Sequence, residues 1–141
     1  MEDLPHNSGF LLIDKPKDWT SHDVVGYLRK ITGIKKIGHA GTLDPFATGL
    51  LIVGVGRSAT KQLDDFKGLP KTYNAIIHLG ATSDTQDSTG IIAEQSEYTI
   101  PTLSDIQKML SSFIGKQTQI PPMHSAKKLM DKNYTPLQEK E

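Results

Sequence analysis

Gly38-His39-Ala40-Gly41-Thr42-Leu43-Asp44-Pro45-Phe46-Ala47-Thr48-Gly49 is the stretch on which the reading of this chain turns. Twelve residues bring together three glycines, a histidine, two threonines and an aspartate fixed before a proline. Glycine lets the backbone turn, or approach another group, where a side chain would obstruct it. Pro45 locks its own φ and pushes Asp44 towards extended backbone, which presents the carboxylate at a defined angle. Two readings share that pattern. The carboxylate is displayed to a ligand, or Asp44 is the N-cap and Pro45 the first residue of a helix. Taken alone, the segment reads as a helix start, because capping is commoner than catalysis.

On the C-terminal side, Leu50-Leu51-Ile52-Val53-Gly54-Val55-Gly56 is a nearly continuous apolar run, the pattern of a buried central strand. Ser58 is placed to cap a short helix that turns Ala59, Leu63 and Phe66 inward. On the N-terminal side, Gly9-Phe10-Leu11-Leu12-Ile13 has the length of a strand and stops at Asp14-Lys15-Pro16-Lys17-Asp18. Thr20 or Ser21 then caps a helix with Val24, Tyr27, Leu28 and Ile31 at i, i+3, i+4, i+7, and Gly33 ends it. Trp19 is positioned to staple the entry of that helix. Arg29, Lys30, Lys35 and Lys36 cluster at and beyond its C-terminus, where they complement the helix dipole and would also meet phosphates.

Further on, Lys71 to Leu79 alternates as a strand with Tyr73, Ala75, Ile77 and Leu79 on one face. The polar loop Ala81 to Gly90 follows, then a strand over Ile91-Ile92-Ala93-Glu94. Asp84 and Asp87 in that loop read as turn residues, since their spacing is not that of a calcium loop. Thr102-Leu103-Ser104-Asp105 is a capping box opening a helix with Ile106, Met109, Leu110 and Phe113 at helical spacing, closed by Gly115. Gln117 to Ile120 reads as a short strand stopped by Pro121-Pro122. Residues 1–8 read as a loose tail, and 127–141 as a polar tail with Pro136 and no clear period. There is no internal repeat. The order of elements gives an α+β domain: a mixed, mainly antiparallel sheet with flanking helices.

At 141 residues, 36% hydrophobic and 23% charged, the chain is long enough for one domain with a real core and too short for two comfortable ones. It has no cysteine, so disulfides, zinc–cysteine sites and thiol catalysis are excluded. No apolar run approaches a membrane span, and Met1 to His6 lacks a basic region followed by an apolar core. A cytoplasmic setting is expected. The net charge of zero conceals an uneven distribution. Residues 24–63 hold Arg29, Lys30, Lys35, Lys36, Arg57 and Lys61 against Asp44 alone, while the flanking segments are both acidic. A basic field around a single carboxylate suits a polyanion, although a solvated helix face gives the same count.

Several segments, taken together and in order, resemble the N-terminal part of the TruB family of tRNA pseudouridine synthases. Gly9 to Pro16 with Thr20-Ser21 resembles the family's opening strand and its Asp-Lys-Pro turn. Lys36 to Leu51 matches its catalytic motif almost position for position. Gly56-Arg57-Ser58-Ala59-Thr60-Lys61, Lys71-Thr72-Tyr73, Leu79-Gly80, Asp84-Thr85, Asp87 and Gly90 follow in the family's order, and Ile120 to Ala126 matches a later signature. The resemblance runs over residues 9–126. It implies isomerisation of a T-loop uridine in tRNA to pseudouridine, without cofactor or metal, in a monomer that binds the T-loop and stem and no membrane. A uridine buried in folded RNA must be flipped out, so something must fill its place and accept its stacking.

By that resemblance Asp44 is the catalytic carboxylate, His39 enters the space the base leaves, and Tyr73 stacks on the flipped base. Gly41, Thr42, Lys15, Lys35 and Lys36 join the RNA-binding set. Each has a plainer reading beside it: His39 as a surface histidine, Tyr73 as a core aromatic, the lysines as solvated or dipole-facing groups. The family pattern continues beyond this length with further strands, an arginine that pairs with the catalytic aspartate, and a C-terminal RNA-binding domain. The sheet is therefore expected to be incomplete at its C-terminal end, that domain absent, and the chain weakly active or inactive alone. The alternative is a non-catalytic tRNA-binding remnant.

Overall fold

Thr20, through its hydroxyl, and Gly33, through its freedom to take positive φ, bound the first helix. In the computed structural model, which describes residues 7–118 and the backbone of 128–129 and 132–133, α1 covers Ser21–Thr32. The Thr20 hydroxyl accepts from the Asp23 N–H, and the Asp23 carboxylate accepts in return from the Thr20 N–H, a closed capping box. At the other end Gly33 takes the left-handed conformation and donates to the Arg29 carbonyl.

The chain divides into two units, Met1–Tyr73 and Asn74–Glu141. In the first, β1 (Gly9–Lys15), β2 (Ile37–His39) and β3 (Gly49–Val55) form an antiparallel sheet of order β1-β3-β2. Leu12 lies opposite Ile52 and Ile13 opposite Leu51, while His39 lies opposite Val53. One face of β3, carrying Leu51 and the fully buried Val53, packs with Ile37 against Val24, Val25 and Leu28 of α1. That is the core. The face of α1 it uses is Ser21, Val24, Val25 and Leu28. Tyr27 and Ile31, expected inward from their spacing, are exposed instead. Trp19 meets Tyr27 edge-on, with ring centroids 5.8 Å apart.

The opposite face of the sheet is covered at one end only. β3 runs directly into α2 (Gly56–Lys61), followed by α3 (Leu63–Lys67). Val55, not Ser58, stands at the N-cap of α2, because no linker separates strand from helix. Ala59 and Leu63 close over Gly54, where an added Cβ would come within 3.1 Å of Leu63 and 3.2 Å of Ala59. Phe66 meets Phe10 edge-on at 4.9 Å. At the other end of this face Leu12 and Leu50 remain 70% and 62% exposed. β3 is thus central in the sheet but buried on one face, not on both.

The second unit contains β4 (Ala81–Ser83) paired antiparallel with β5 (Ile92–Glu94), and α4 (Leu103–Ser111). The loop between the strands is a turn held by its aspartates: Asp84 Oδ1 accepts from the Ile91 N–H, and Asp87 Oδ1 from the Thr89 N–H. Thr102 and Asp105 close the expected capping box of α4. The helix stops at Ser111, four residues before Gly115, and Met109, Leu110 and Phe113 are exposed. Residues 70–78 form no strand, and all are exposed. Their alternating pattern finds no neighbouring ladder among the described residues, and a lone strand has nothing to pair with. The expected strand at Gln117 to Ile120 falls partly outside the described residues, as do the N-terminal tail before Asn7 and the signature from Ile120 to Ala126. In the C-terminal stretch the backbone of β6 (Lys128–Leu129) pairs with that of β7 (Lys132–Asn133). The architecture is α+β with antiparallel sheets.

Candidate active site

Asp44 does not begin a helix. Asp44-Pro45-Phe46-Ala47 is a turn, closed by the Ala47 N–H donating 3.0 Å to the Asp44 carbonyl. The helix reading fails because the residues on either side of Asp44 are held by other parts of the chain.

Ser21 holds one side. Its hydroxyl, 1% exposed at the first turn of α1, accepts from the Leu43 N–H at 2.9 Å and donates to the Leu43 carbonyl at 3.3 Å. One side chain thereby pairs both backbone polar groups of Leu43, as a neighbouring strand would. Lys15 and Asp18 hold the other side. The Lys15 ammonium is fully buried and donates to the carbonyls of Trp19 (2.6 Å), Pro16 (2.9 Å) and Pro45 (3.2 Å). An ammonium has three hydrogens, so this one has an acceptor for each. The Asp18 N–H adds a 2.8 Å bond to the Pro45 carbonyl, from a residue at φ +66° that an aspartate tolerates. Between these anchors the Asp44 side chain is exposed and has no hydrogen bond or ion pair among the described residues. The backbone is held and the carboxylate is free.

His39 ends β2 and leads into the same turn. Its ring is half-buried and Nδ1 contacts the Gly41 carbonyl. A carbonyl only accepts, so Nδ1 is the donor in this contact. Gly41 has φ +101°, a conformation side chains resist, and it lets the chain fold back towards the ring. The Ala40 N–H donates 2.9 Å to the Ile52 carbonyl and carries β2–β3 pairing one residue past the strand.

The structure therefore joins Asp44, Leu43 and Pro45 to Lys15, Asp18 and Ser21, and joins His39 to Gly41. Lys15, expected among solvated RNA-binding groups, is an internal strut with no exposed surface. Its position in a tight Asp-Lys-Pro turn buries it. Lys35 and Lys36 are exposed and line a cleft with His39. Thr42 is exposed on the turn itself. Tyr73 stands 69% exposed in a segment without strand structure and has no ring contact among the described residues. Sequence reasoning saw Ser21 as a possible cap and missed its grip on Leu43, and it did not single out Asp18 or Lys67. No helix among the described residues is long and apolar enough to cross a membrane.

The site is thus a presented carboxylate between two anchored residues, in a turn entered from a histidine at a strand end. The family model described as TruB family pseudouridylate synthase (N terminal domain) matches residues 29–140, and the chain belongs to that family. Among curated proteins it is similar to tRNA pseudouridine synthase B of Protochlamydia amoebophila, at 50% identity over 127 residues, 90% of this chain and 48% of that protein. The tRNA pseudouridine synthase B of Geotalea uraniireducens is 47% identical over 120 residues, 85% of this chain and 38% of the relative. That of Chlamydia muridarum is 45% identical over 124 residues, 88% and 51%. The chain spans about half the length of the curated relatives it matches.

Proposed function

We propose that the protein is a tRNA pseudouridine synthase that isomerises a T-loop uridine after flipping it out of the RNA, with Asp44 as the catalytic carboxylate. The reaction breaks the C1′–N1 glycosidic bond, forms C1′–C5, releases the C5 proton and protonates N1. Atoms and electrons balance without an oxidant, so a carboxylate suffices whether it acts on the base, on the sugar or as a proton acceptor. The observation that carries this reading is the turn at Asp44, whose backbone is anchored on both sides while its side chain faces outward. Holding a reacting group in place beforehand is the main contribution a site of this kind makes. His39 at the mouth of the turn takes the space of the flipped base, and Tyr73 stacks on it. Gly41 and Thr42 bring backbone close to the RNA, with Lys35 and Lys36 beside its phosphates. Lys15 acts through Pro45, as a positioning residue.

Asp44 has no cation within ion-pair reach among the described residues, so on this reading residues 1–141 alone turn over slowly. This favours, as a second reading, a tRNA-binding protein without chemistry. Tritium release from C5-labelled uridine in a T-stem–loop RNA separates the two. Slow release abolished by Asp44→Ala supports the synthase; RNA binding with no release above background, unchanged by Asp44→Asn, supports the second reading. Binding of neither RNA nor tRNA would sink both.

A further inference from the structure

β2 is an edge strand, and along its outer side runs a cleft of about 470 Å³. Its walls come from both faces of the sheet: Arg29 of α1 on one side, Lys67 and Asp64 of α3 on the other. Lys35 and Lys36 stand at the entry to β2, and His39 at its exit. Four cations thus face one carboxylate in a chain whose net charge is zero. The Arg29 guanidinium is fixed by a 2.9 Å bond from Nη2 to the Ile37 carbonyl, which leaves its other N–H groups available to the cleft. The buried Ile37 and Leu63 form an apolar floor.

We propose that this cleft is a phosphodiester seat, in which Lys35, Lys36 and Lys67, with Arg29 behind them, hold the RNA backbone beside the nucleotide presented to Asp44. The inference rests on the synthase reading and extends it to residues outside the catalytic motif. His39 supplies the link between the two places: it lines the cleft and contacts Gly41 in the turn that leads to Asp44. A strand whose base lies at the turn then passes its neighbouring phosphate along β2. Lys67 is held in the free protein by Asp64, and both partners are largely exposed. Such a pair is weak and easily screened, so an RNA phosphate can take the place of the Asp64 carboxylate. Asp64 therefore acts as a stand-in anion that weakens binding.

The test uses the full chain and a fluorescein-labelled T-stem–loop RNA, with affinity measured by anisotropy between about 50 and 200 mM salt. Lys35, Lys36 and Lys67 are exposed, so their replacement by glutamine leaves the fold intact, which circular dichroism verifies. For Lys35→Gln, Lys36→Gln and Lys67→Gln combined, the expected result is a salt slope shallower by about 2, since each phosphate contact contributes roughly 0.7–0.9. Asp64→Asn tightens binding several-fold. Lys30→Gln, on the same helix as Arg29 but outside the cleft, changes the slope by less than half of one contact. An unaltered slope in the triple variant, with wild-type binding intact, overturns the seat and leaves the synthase reading standing. An equal effect from Lys30→Gln overturns it in favour of diffuse charge. A wild-type protein that ignores the RNA but binds inorganic phosphate, with Lys67→Gln abolishing that binding, overturns both the seat and the synthase reading.

Discussion

The buried ammonium of Lys15 lies 3.2 Å from the carbonyl oxygen of Pro45, thirty residues further along the chain. The bond ties the end of β1 to the turn that displays Asp44. Lys15 also binds the carbonyls of Pro16 and Trp19, so it closes its own turn and the Asp44 turn with a single charge. Lys15→Met keeps the apolar stem and removes the three donations. It is expected to cost on the order of 2–3 kcal/mol in urea unfolding, the size associated with hydrogen bonds from a charged group. The same variant should leave the salt slope of RNA binding unchanged, because a fully buried ammonium neutralises no phosphate.

Ser21 grips the other side of Asp44. Its hydroxyl serves the N–H and the carbonyl of Leu43 together, and Ser21→Ala leaves both without that partner. The expected loss is about 1–3 kcal/mol. A local measurement is more telling: hydrogen exchange at the Leu43 amide should accelerate at least tenfold beyond what the global loss explains. Exchange that follows global stability alone would show that Ser21 packs without holding the turn.

Gly41 takes φ +101° beside the His39 ring. Gly41→Ala puts a Cβ on a backbone that L residues avoid, at about 1–3 kcal/mol. Nothing lies within 4 Å of the added methyl group, so the cost is conformational and not steric. Thermal unfolding should show it, and the histidine Nδ1 resonance should shift as the contact with the Gly41 carbonyl loosens.

The two capping boxes make stability depend on acid. The Thr20 hydroxyl and N–H hold the Asp23 carboxyl below its ordinary value, and Thr102 does the same for Asp105. A carboxyl whose folded value is depressed stabilises the fold above its unfolded value, and the contribution disappears as pH falls through the depressed one. Melting temperatures should therefore drop on acidification below about pH 4. In Asp23→Asn with Asp105→Asn that part of the drop should be smaller. Thr20→Ala removes one cap at every pH and is expected to cost about 1 kcal/mol.

What was legible in the sequence is what neighbouring residues decide among themselves. The limits of α1 follow from Thr20, Asp23 and Gly33, the start of α4 from Thr102 and Asp105, and β3 from its unbroken apolar run. The misreadings arise where distant residues decide. An Asp-Pro pair looks alike in a helix start and in a turn, and only the grip of Ser21 on Leu43 and of Lys15 on Pro45 selects the turn. The stripe through Tyr27 and Ile31 has the right period, yet Ser21 and Val25 rotate the buried face of α1 away from it. Nothing local marks a lysine as buried, so the sequence alone reads Lys15 as an RNA-binding or solvated group. The alternation from Lys71 to Leu79 specifies a strand only if a partner strand is present, and among the described residues none pairs with it.

Asp44 itself is expected to matter for chemistry and for little else. Its backbone carbonyl closes the turn with Ala47, and that bond survives any side-chain change. Its carboxylate is exposed and makes no hydrogen bond or ion pair among the described residues. Asp44→Asn keeps the shape and removes only the charge, so stability should stay within about 0.5 kcal/mol of wild type. Binding of T-stem–loop RNA should be unchanged or slightly tighter, because one anion leaves a basic neighbourhood. Tritium release should fall to background. A variant that loses stability or RNA affinity as severely as activity would make Asp44 a structural residue of the turn. Unchanged release would show that the carboxylate is not the reacting group.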